Sequence, residues 1–529
     1  MRKTGILAAM VLVGAASAQV APLPQPSGSA RGTVFEDANG NGRRDPGERG
    51  LGGVAVSNGL DVVRTDSRGR WVLPAWDDAV FFVVKPSGWI TPVQPDGRPT
   101  FHYVHKPSGS PQLRFAGVAP TGPLPESIDF PLRRQREPRS YRVLLFGDTQ
   151  PRNLREVDYL ARDVVAPLEP LAETFAFGVV LGDIVFDGLD VTEPLVRTLG
   201  TLGIPWRYVI GNHDENYDAP DDLHSDEHFE RVFGPPYYSF DVGGVHFVVL
   251  DDVEWIGVEN ARKENPDRAR GFYRAALGPR QLKWLENDLR LVPKDRLVVL
   301  AMHIPLDELR ERAEVLRLLS PFRSTVSFSA HTHTMEHRFF GREEGWLGEG
   351  RHHHIVHGTA CGSWWGGLPD ERGVPHATMS DGTPNGYGVL MVDGNRWSWE
   401  YVAVGPVGEE AMRILAPDAL AAAEVRGTEV LANVFGGSEL STVEISVSGG
   451  PWRAMRRVER PDPWYVQLAE RDKAQVKLPF LPLPGPSRCT HLWSTVLTER
   501  LEPGVHALRV RETDLWGRTR EAVRTIRVE

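Results

Sequence analysis

The chain has 529 residues, enough for two to four domains, and its 41% hydrophobic content with 15 Trp excludes a disordered chain. Sixty basic residues against 70 acidic ones give a formal net charge of −10, and nothing in the chain is basic enough to suggest a nucleic-acid groove.

The N-terminus carries a targeting pattern. Arg2-Lys3 opens it, residues 5–15 are apolar, and Ala16-Ser17-Ala18 is a small-x-small cleavage site before Gln19. The expectation is a signal peptide over 1–18. The apolar run is too short to span a bilayer. No Cys follows the cleavage site for a lipid anchor, and no later apolar stretch reaches spanning length. The mature protein is expected to be exported, periplasmic or extracellular, without a transmembrane anchor. Residues 19–30 are rich in Pro and Ser and read as a flexible leader.

Short β runs at 32–35, 54–57, 61–65, 70–73 and 80–85 follow, separated by turn signals such as Asn58-Gly59. They make residues 31–119 a small β domain. Within it, Asp37-Ala38-Asn39-Gly40-Asn41-Gly42 followed by Glu48 fits the calcium-loop pattern D-x-[DN]-x-[DN]-G-x5-E. Asp37, Asn39 and Asn41 occupy the first three ligand positions, Arg43 offers its carbonyl, and Asp45 and Glu48 complete the loop. Flanking helices are not evident, so a bound calcium would be structural. The alternative is a Gly/Asn-rich turn held by its own Asx hydrogen bonds.

Residues 120–140 are Pro-rich and read as a linker. From 141 to 405, strand-like runs alternate with helical stretches at 154–165 and 280–291, and Trp284 in the latter is expected in the core or at its edge and not as a ligand. Five apolar runs, at 142–146, 177–181, 206–210, 297–302 and 325–329, each lead into a short polar block. The blocks are Gly147-Asp148-Thr149-Gln150, Gly182-Asp183-Ile184-Val185-Phe186-Asp187, Gly211-Asn212-His213-Asp214, His303-Ile304-Pro305 and Ala330-His331-Thr332-His333. In an open α/β sheet, ligands bind beyond the carboxyl ends of the strands. Five strands therefore deliver carboxylates, amides and imidazoles to one edge, which is the pattern of a dinuclear metal site.

The ordered set of blocks resembles the signature of the calcineurin-like metallophosphoesterases, over roughly residues 141–405. Gln150 stands where that signature usually has His, and Ala330 where it usually has Gly. The resemblance implies an α/β fold, a four-layer α-β-β-α sandwich flanked by an N-terminal β-sandwich and a C-terminal β-sandwich-like domain. It assigns Asp148, Gln150, Asp183 and His333 to one metal, and Asn212, His303 and His331 to a second, with Asp183 bridging. His213 would sit beside the substrate phosphate, oriented by Asp187 in preference to Asp214. Mixed oxygen and imidazole ligation suits Mn, Fe or Zn, and a Gln150 amide oxygen makes the first site harder.

The implied reaction is hydrolysis of a phosphate monoester or diester by a metal-bridging hydroxide, with an imidazole supplying the leaving group's proton. The substrate would be a small-molecule or envelope phosphate ester. A pyrophosphatase acting on nucleotide-sugar or lipid-linked diphosphates uses the same chemistry, and the motifs do not separate the two. A non-catalytic secreted binding protein would have let the site decay, yet Asp183, Asn212 and the histidines are all present.

After the last block, His352-His353-His354-Ile355-Val356 reads as a strand whose alternation turns His353 away from its two neighbours. The five blocks already supply the ligands two metals need. Gly-rich aromatic loops follow, and Trp364, Trp365, Asn385 and Tyr387 are expected to line the substrate, with packing beneath a Gly turn as the alternative. Residues 406–529 return to short strands, at 429–435, 441–447, 506–510 and 520–528, and read as an immunoglobulin-like β domain without a long helix. Cys361 and Cys489 fall in different expected domains. Export permits a bridge between them, and two free thiols are the alternative.

Overall fold

The structure is a computed structural model that describes residues 23–266, 271–404 and 411–529. The expected signal peptide lies outside the described residues.

The centre of the molecule is two facing sheets. The first runs in the order Trp206–Val209, Phe175–Leu181, Ser140–Phe146, Gly386–Asp393, Arg396–Ala403. Its first three strands are parallel, and the last two form an antiparallel hairpin added to the edge of the third. The second runs Tyr238–Val242, Val245–Val249, Leu297–Ala301, Ser324–Ser329, His352–Val356, Glu336–Phe340. Its four inner strands are parallel and its two outer pairings antiparallel. Strands covered on both faces read as unbroken apolar runs, and Leu297–Ala301 is buried at every position.

Period-two alternation assigns the layers. Val143 and Leu145 face the second sheet, where the Phe177 ring sits edge-on to Phe240 at 5.5 Å and Phe247 at 5.2 Å. Leu144 and Phe146 face outward, toward helices Leu154–Leu160 and Thr192–Gly200. Asn153 starts the first of these helices by accepting from the backbone N–H of Arg155 and Glu156. Helices Gly278–Leu289 and Arg312–Leu319 cover the second sheet, with Trp284, Leu285 and Leu316 buried against it. The result is the α-β-β-α sandwich.

Two four-stranded sheets form the N-terminal sandwich, closed by Trp71 stacked between Phe81 at 5.9 Å and Phe130 at 5.8 Å. Two corrections arise here. Strand Gly28–Glu36 draws residues 28–30 of the expected leader into the sheet, where Gly28 pairs with Ala75. Part of the expected linker is also a strand: Phe130–Arg134 pairs in parallel with Gly28–Glu36, because Phe130 and Leu132 alternate into the core. The calcium-type loop is closed on itself. The Asp37 carboxylate accepts from the backbone N–H of Gly40, Asn41 and Gly42, and both Asn39 and Asn41 donate side-chain N–H to Asp45 Oδ2. Glu48 accepts from the N–H of Ala38 and Asp45, and Asn41 Oδ1 from that of Arg43.

The C-terminal region is also two sheets, packed through Val430, Ala432, Ile445, Val510 and Ile526. It contains a helix the sequence reading did not expect, Pro463–Gln475. Asp462 caps it by accepting from the Trp464 N–H, Pro463 sits at its first turn, and Tyr465, Leu468 and Ala469 are buried. Both cysteines are buried free thiols. No helix among the described residues is long and apolar enough to cross a membrane.

Candidate metal centre

The polar blocks emerge together at the carboxyl ends of strands from both sheets. In the first, second and fifth blocks the chain leaves its strand through turns that non-glycine residues rarely adopt: Asp148, Gln150, Asp183, Asp187, His331 and His333 all have φ between +22° and +67°. Such conformations cost of order 1–3 kcal/mol each and persist only where surrounding contacts enforce them. Two glycines are dictated by close approach. A Cβ at Gly182 would lie 2.4 Å from the His303 ring, and one at Gly211 would lie 2.1 Å from the Asp183 backbone nitrogen.

Asp183, His303 and His331 each bring a ligand atom to within 4.8 Å of the others. His303 is fully buried and its Nδ1–H donates to the Leu181 carbonyl at 2.9 Å. That bond fixes the ring so that Nε2 faces inward, 3.2 Å from Asp183 Oδ1, 3.2 Å from Asn212 Oδ1 and 3.1 Å from His331 Nδ1. His333 has the same arrangement: Nδ1 donates to the Gly362 carbonyl at 2.5 Å, and Nε2 lies 3.1 Å from Asp148 Oδ2. Asp148 Oδ2 is buried and, despite that short separation, has no hydrogen-bond partner. The Gln150 amide lies between, with Nε2 2.6 Å from Asp183 Oδ2 and Oε1 facing Cys361 Sγ at 3.7 Å.

The electrostatics divide within the cluster: burial and the neighbouring His303 push His331 down to about 4, while His303 itself is raised. Burial would lower the basicity of His303, but the adjacent Asp183 carboxylate outweighs it and pushes the imidazole up to about 10. Asp183 is held well below the usual carboxylate range, its burial opposed by His303 and His213. A pocket that retains a proton against burial also attracts a cation. An orphaned buried carboxylate oxygen and inward-facing imidazole nitrogens are a donor set that fits divalent ions.

His213 lies at the rim. Its backbone N–H donates to Asp183 Oδ1 at 2.9 Å, its ring stacks on Phe186 at 4.2 Å, and its Nδ1 is 2.5 Å from Asp187 Oδ1. Burial opposes its protonation, but Asp183 and Asp187 raise its pKa. Asp214 points the other way. It is buried and accepts from the N–H of Ile184, Val185 and Gly211, so it ties two metal loops together and does not touch His213.

Two residues that the sequence reading passed over stand out. Asp252 accepts from the N–H of His303 at 3.0 Å and Ile304 at 2.8 Å, and burial pushes it up to about 7. Its signal was present: an acid just beyond the apolar strand Val245–Val249, as in the first three blocks. Tyr217 donates to the Asn212 carbonyl at 2.7 Å and lies 3.2 Å from His213 Nδ1; no spacing rule marks it.

The expected aromatic wall is largely elsewhere. Trp364 does reach the site, its ring 4.0 Å from that of His333. Trp365 is buried against Tyr159 and donates to the Thr149 carbonyl. Tyr387 packs on Phe146, and Asn385 donates to Asp163 and the Ala360 carbonyl. These three support the loops from beneath, because their strand and turn face the first sheet's helices. His352 and His354 lie in the second sheet, away from the metal centre, hydrogen-bonded to Thr325, Ser327 and Ser329.

Comparison with known proteins yields three adjoining family matches. Residues 141–335 match the model described as calcineurin-like phosphoesterase, 38–117 its N-terminal model and 354–519 its C-terminal model. Serine/threonine-protein phosphatase CPPED1 from Pongo abelii is 31% identical over 157 residues, 28% of this chain and 45% of that protein. The Bos taurus protein of the same name is 31% identical over 160 residues, with the same coverage. The chain thus spans about half the length of these curated relatives. A solved structure of purple acid phosphatase PPD1 from yellow lupin (Lupinus luteus) seeds matches at a TM-score of 0.33 and 12% identity, covering 66% of each chain.

Proposed function

This chain belongs to the calcineurin-like phosphoesterase family, and on that premise we propose that it is an exported hydrolase of phosphate monoesters or diesters that works with two divalent metal ions. The observation that carries the reading is the convergence of Asp183, His303 and His331 beside the orphaned Asp148 oxygen. Asp148, Asp183 and His333 would hold one ion, with Gln150 joining through Oε1 once its amide, whose Nε2 faces Asp183, is turned over; Asn212, His303 and His331 would hold the other, with Asp183 shared. When bound, such a pair supplies Lewis acidity toward phosphoryl oxygens and an activated water.

The remaining chemistry falls to the chain's own groups. Asp183 accepts from the His213 backbone N–H and so sets the imidazole beside the proposed metal positions. Asp187 and Tyr217 occupy His213 Nδ1, which leaves Nε2 to meet the ester oxygen. Asp183 and Asp187 favour the imidazolium, so His213 can give its proton to the departing alkoxide. Asp214 and Asp252 hold the loops that carry these groups through backbone N–H bonds. Mn, Fe and Zn all suit the donors. For the loop from Asp37 to Glu48 we propose a structural calcium, tested by calorimetric titration of chelator-treated protein with Ca²⁺.

The test is to strip the purified protein of metal, reload it with Mn, and assay an aryl phosphodiester beside the matching monoester. Turnover that depends on reloading, with two ions bound per chain, is the expected result. Two bound ions with neither ester cleaved would overturn the ester reading in favour of a diphosphate substrate.

A further inference from the structure

A cavity of about 730 Å³ opens at His213, with Asp187 and Asn212 also at its floor. Its walls are aromatic and come from two domains. On the catalytic side, the hairpin Val253–Ile256 and Phe272–Ala275 sets Trp255 directly opposite Tyr273. Tyr217 stands edge-on to Trp255 at 5.1 Å, and Tyr273 edge-on to His331 at 5.9 Å. The same wall therefore reaches His213 through Tyr217 and His331 through Tyr273.

Arg114 and Phe115, from the loop that follows strand His102–His105 of the N-terminal sandwich, also line the cavity. Phe115 is half-buried, and the Arg114 guanidinium lies 5.0 Å from its ring centroid. This loop is fastened to the catalytic domain. Asn216 donates to the Phe115 carbonyl at 3.0 Å, the Arg114 N–H donates to Asp218 at 2.6 Å, and Arg231 donates to the Ala116 carbonyl at 3.0 Å. At its base, buried Lys106 meets Asp78 at 2.7 Å, Glu227 at 2.5 Å and Glu230 at 3.1 Å. Removing one partner of such a buried cluster leaves uncompensated charge, so the loop is held rigidly. The N-terminal domain is thus built into the rim of the site.

Resting on the phosphoesterase reading above, we propose that this two-domain slot binds a planar aromatic ring carried on the departing alcohol of the substrate. Rigid rings with a flat cation at the rim are the chemistry that stacks on a π face. The side of the phosphate follows from His213. In hydrolysis, the oxygen of water forms the new bond to phosphorus, and the P–O bond to the alcohol breaks with its electron pair leaving on the alcohol oxygen. That oxygen takes the His213 proton, the proton shed by the attacking water passes to solvent, and the group beside His213 is therefore the one that leaves. A nucleobase and a simple aryl ring share this chemistry.

The test uses the Mn-loaded full chain on methyl phosphate, benzyl phosphate and uridine 5′-monophosphate, each also as its methyl diester. Methanol and benzyl alcohol are of similar acidity, so reactivity at phosphorus is nearly matched between them. The expected result is a kcat/KM about tenfold higher for the ring-bearing esters than for the methyl esters. That ratio should collapse toward one in Phe115→Ala and fall in Arg114→Ala. Phe115→Leu keeps an apolar side chain in place and should lose the same preference without a lower melting temperature. Uridine over benzyl identifies a nucleobase; benzyl over uridine identifies an aryl group. A ratio of one in the wild-type protein, or equal losses on every ester in the Phe115 variants, overturns the proposal while leaving the phosphoesterase reading intact. Cleavage of none of the esters by metal-loaded protein defeats both.

Discussion

Two neighbouring strands of the second sheet carry histidines to opposite fates. Strand Ser324–Ser329 pairs in parallel with His352–Val356. His331 and His333 come just after the end of the first, at φ of +67° and +52°, and their nitrogens turn into the metal centre. His352 and His354 lie inside the second and are satisfied by hydroxyls. His352 bridges Thr325 and Ser327 at 2.8 Å each, and His354 bridges Ser327 at 2.7 Å and Ser329 at 3.0 Å. His353, on the other face, stacks on Phe339 at 4.3 Å. A run of three histidines is thus packing, and a pair separated by one residue is a candidate ligand set. What separates them is position relative to the strand end: inside a strand the backbone sends side chains to the sheet faces, and only past its end do they reach the edge.

The largest effect should come from the metal side of this contrast. Asp183→Asn should reduce turnover to background, because Asp183 touches His303, Gln150 and the His213 backbone at once. Steady-state assay together with a melting curve checks this; near-normal turnover in a folded variant sinks the assignment of Asp183. Next is His213→Ala, expected to lower turnover by roughly 10²–10⁴-fold, the usual range for a positioned proton donor, while elemental analysis finds metal content unchanged. Loss of metal instead would move His213 into the ligand set.

On the packing side, His354→Ala should leave turnover per folded molecule near wild type and cost about 2–4 kcal/mol of stability, from a buried cavity plus unsatisfied hydroxyls at Ser327 and Ser329. Denaturant unfolding measures this, and metal loss without destabilisation would break the contrast. Gln150→His should produce a smaller change still, a shift in metal preference read from competition between Mn and Zn, with two ions retained. Unchanged preference would show that Gln150 does not ligate.

The contrast also explains how much could be read in advance. The five apolar runs became strands Ser140–Phe146, Phe175–Leu181, Trp206–Val209, Leu297–Ala301 and Ser324–Ser329, because burial on both faces leaves a local, continuous signal. Polar residues just past such runs were legible for the same reason. The aromatic residues were not. Trp365 and Tyr387 follow the same Gly-rich pattern as Trp364, yet they pack inward, and only the three-dimensional path decides which ring meets the cleft. Phe115 contributes to the rim from a loop about 100 residues upstream of His213, a placement fixed by Lys106 and its three carboxylates, whose partners are scattered through the chain. Helix Pro463–Gln475 was missed although Asp462-Pro463 is a helix-start signal, because its exposed face is strongly charged and its apolar stripe narrow.

A third histidine setting sharpens the distinction between ligand and packing. His246 is buried in the second sheet, with Nδ1 2.8 Å from Asp241 and Nε2 2.8 Å from Asp288. Burial would lower its pKa, but Asp288 and Asp241 push it up to about 10. It is therefore a packing histidine that keeps its charge, unlike His352, which burial lowers to about 3. A folded-state pKa above the unfolded value of about 6.5 contributes stability that is fully present below pH ~6.5 and is lost as pH rises through about 10. The stability difference between the wild type and His246→Gln should accordingly shrink between pH 6.5 and 10, as measured by denaturant midpoints at several pH values. A difference that stays constant across that window would mean the imidazole is neutral. His246 would then belong with the hydroxyl-bonded histidines, and charge would drop out of what distinguishes packing histidines from one another.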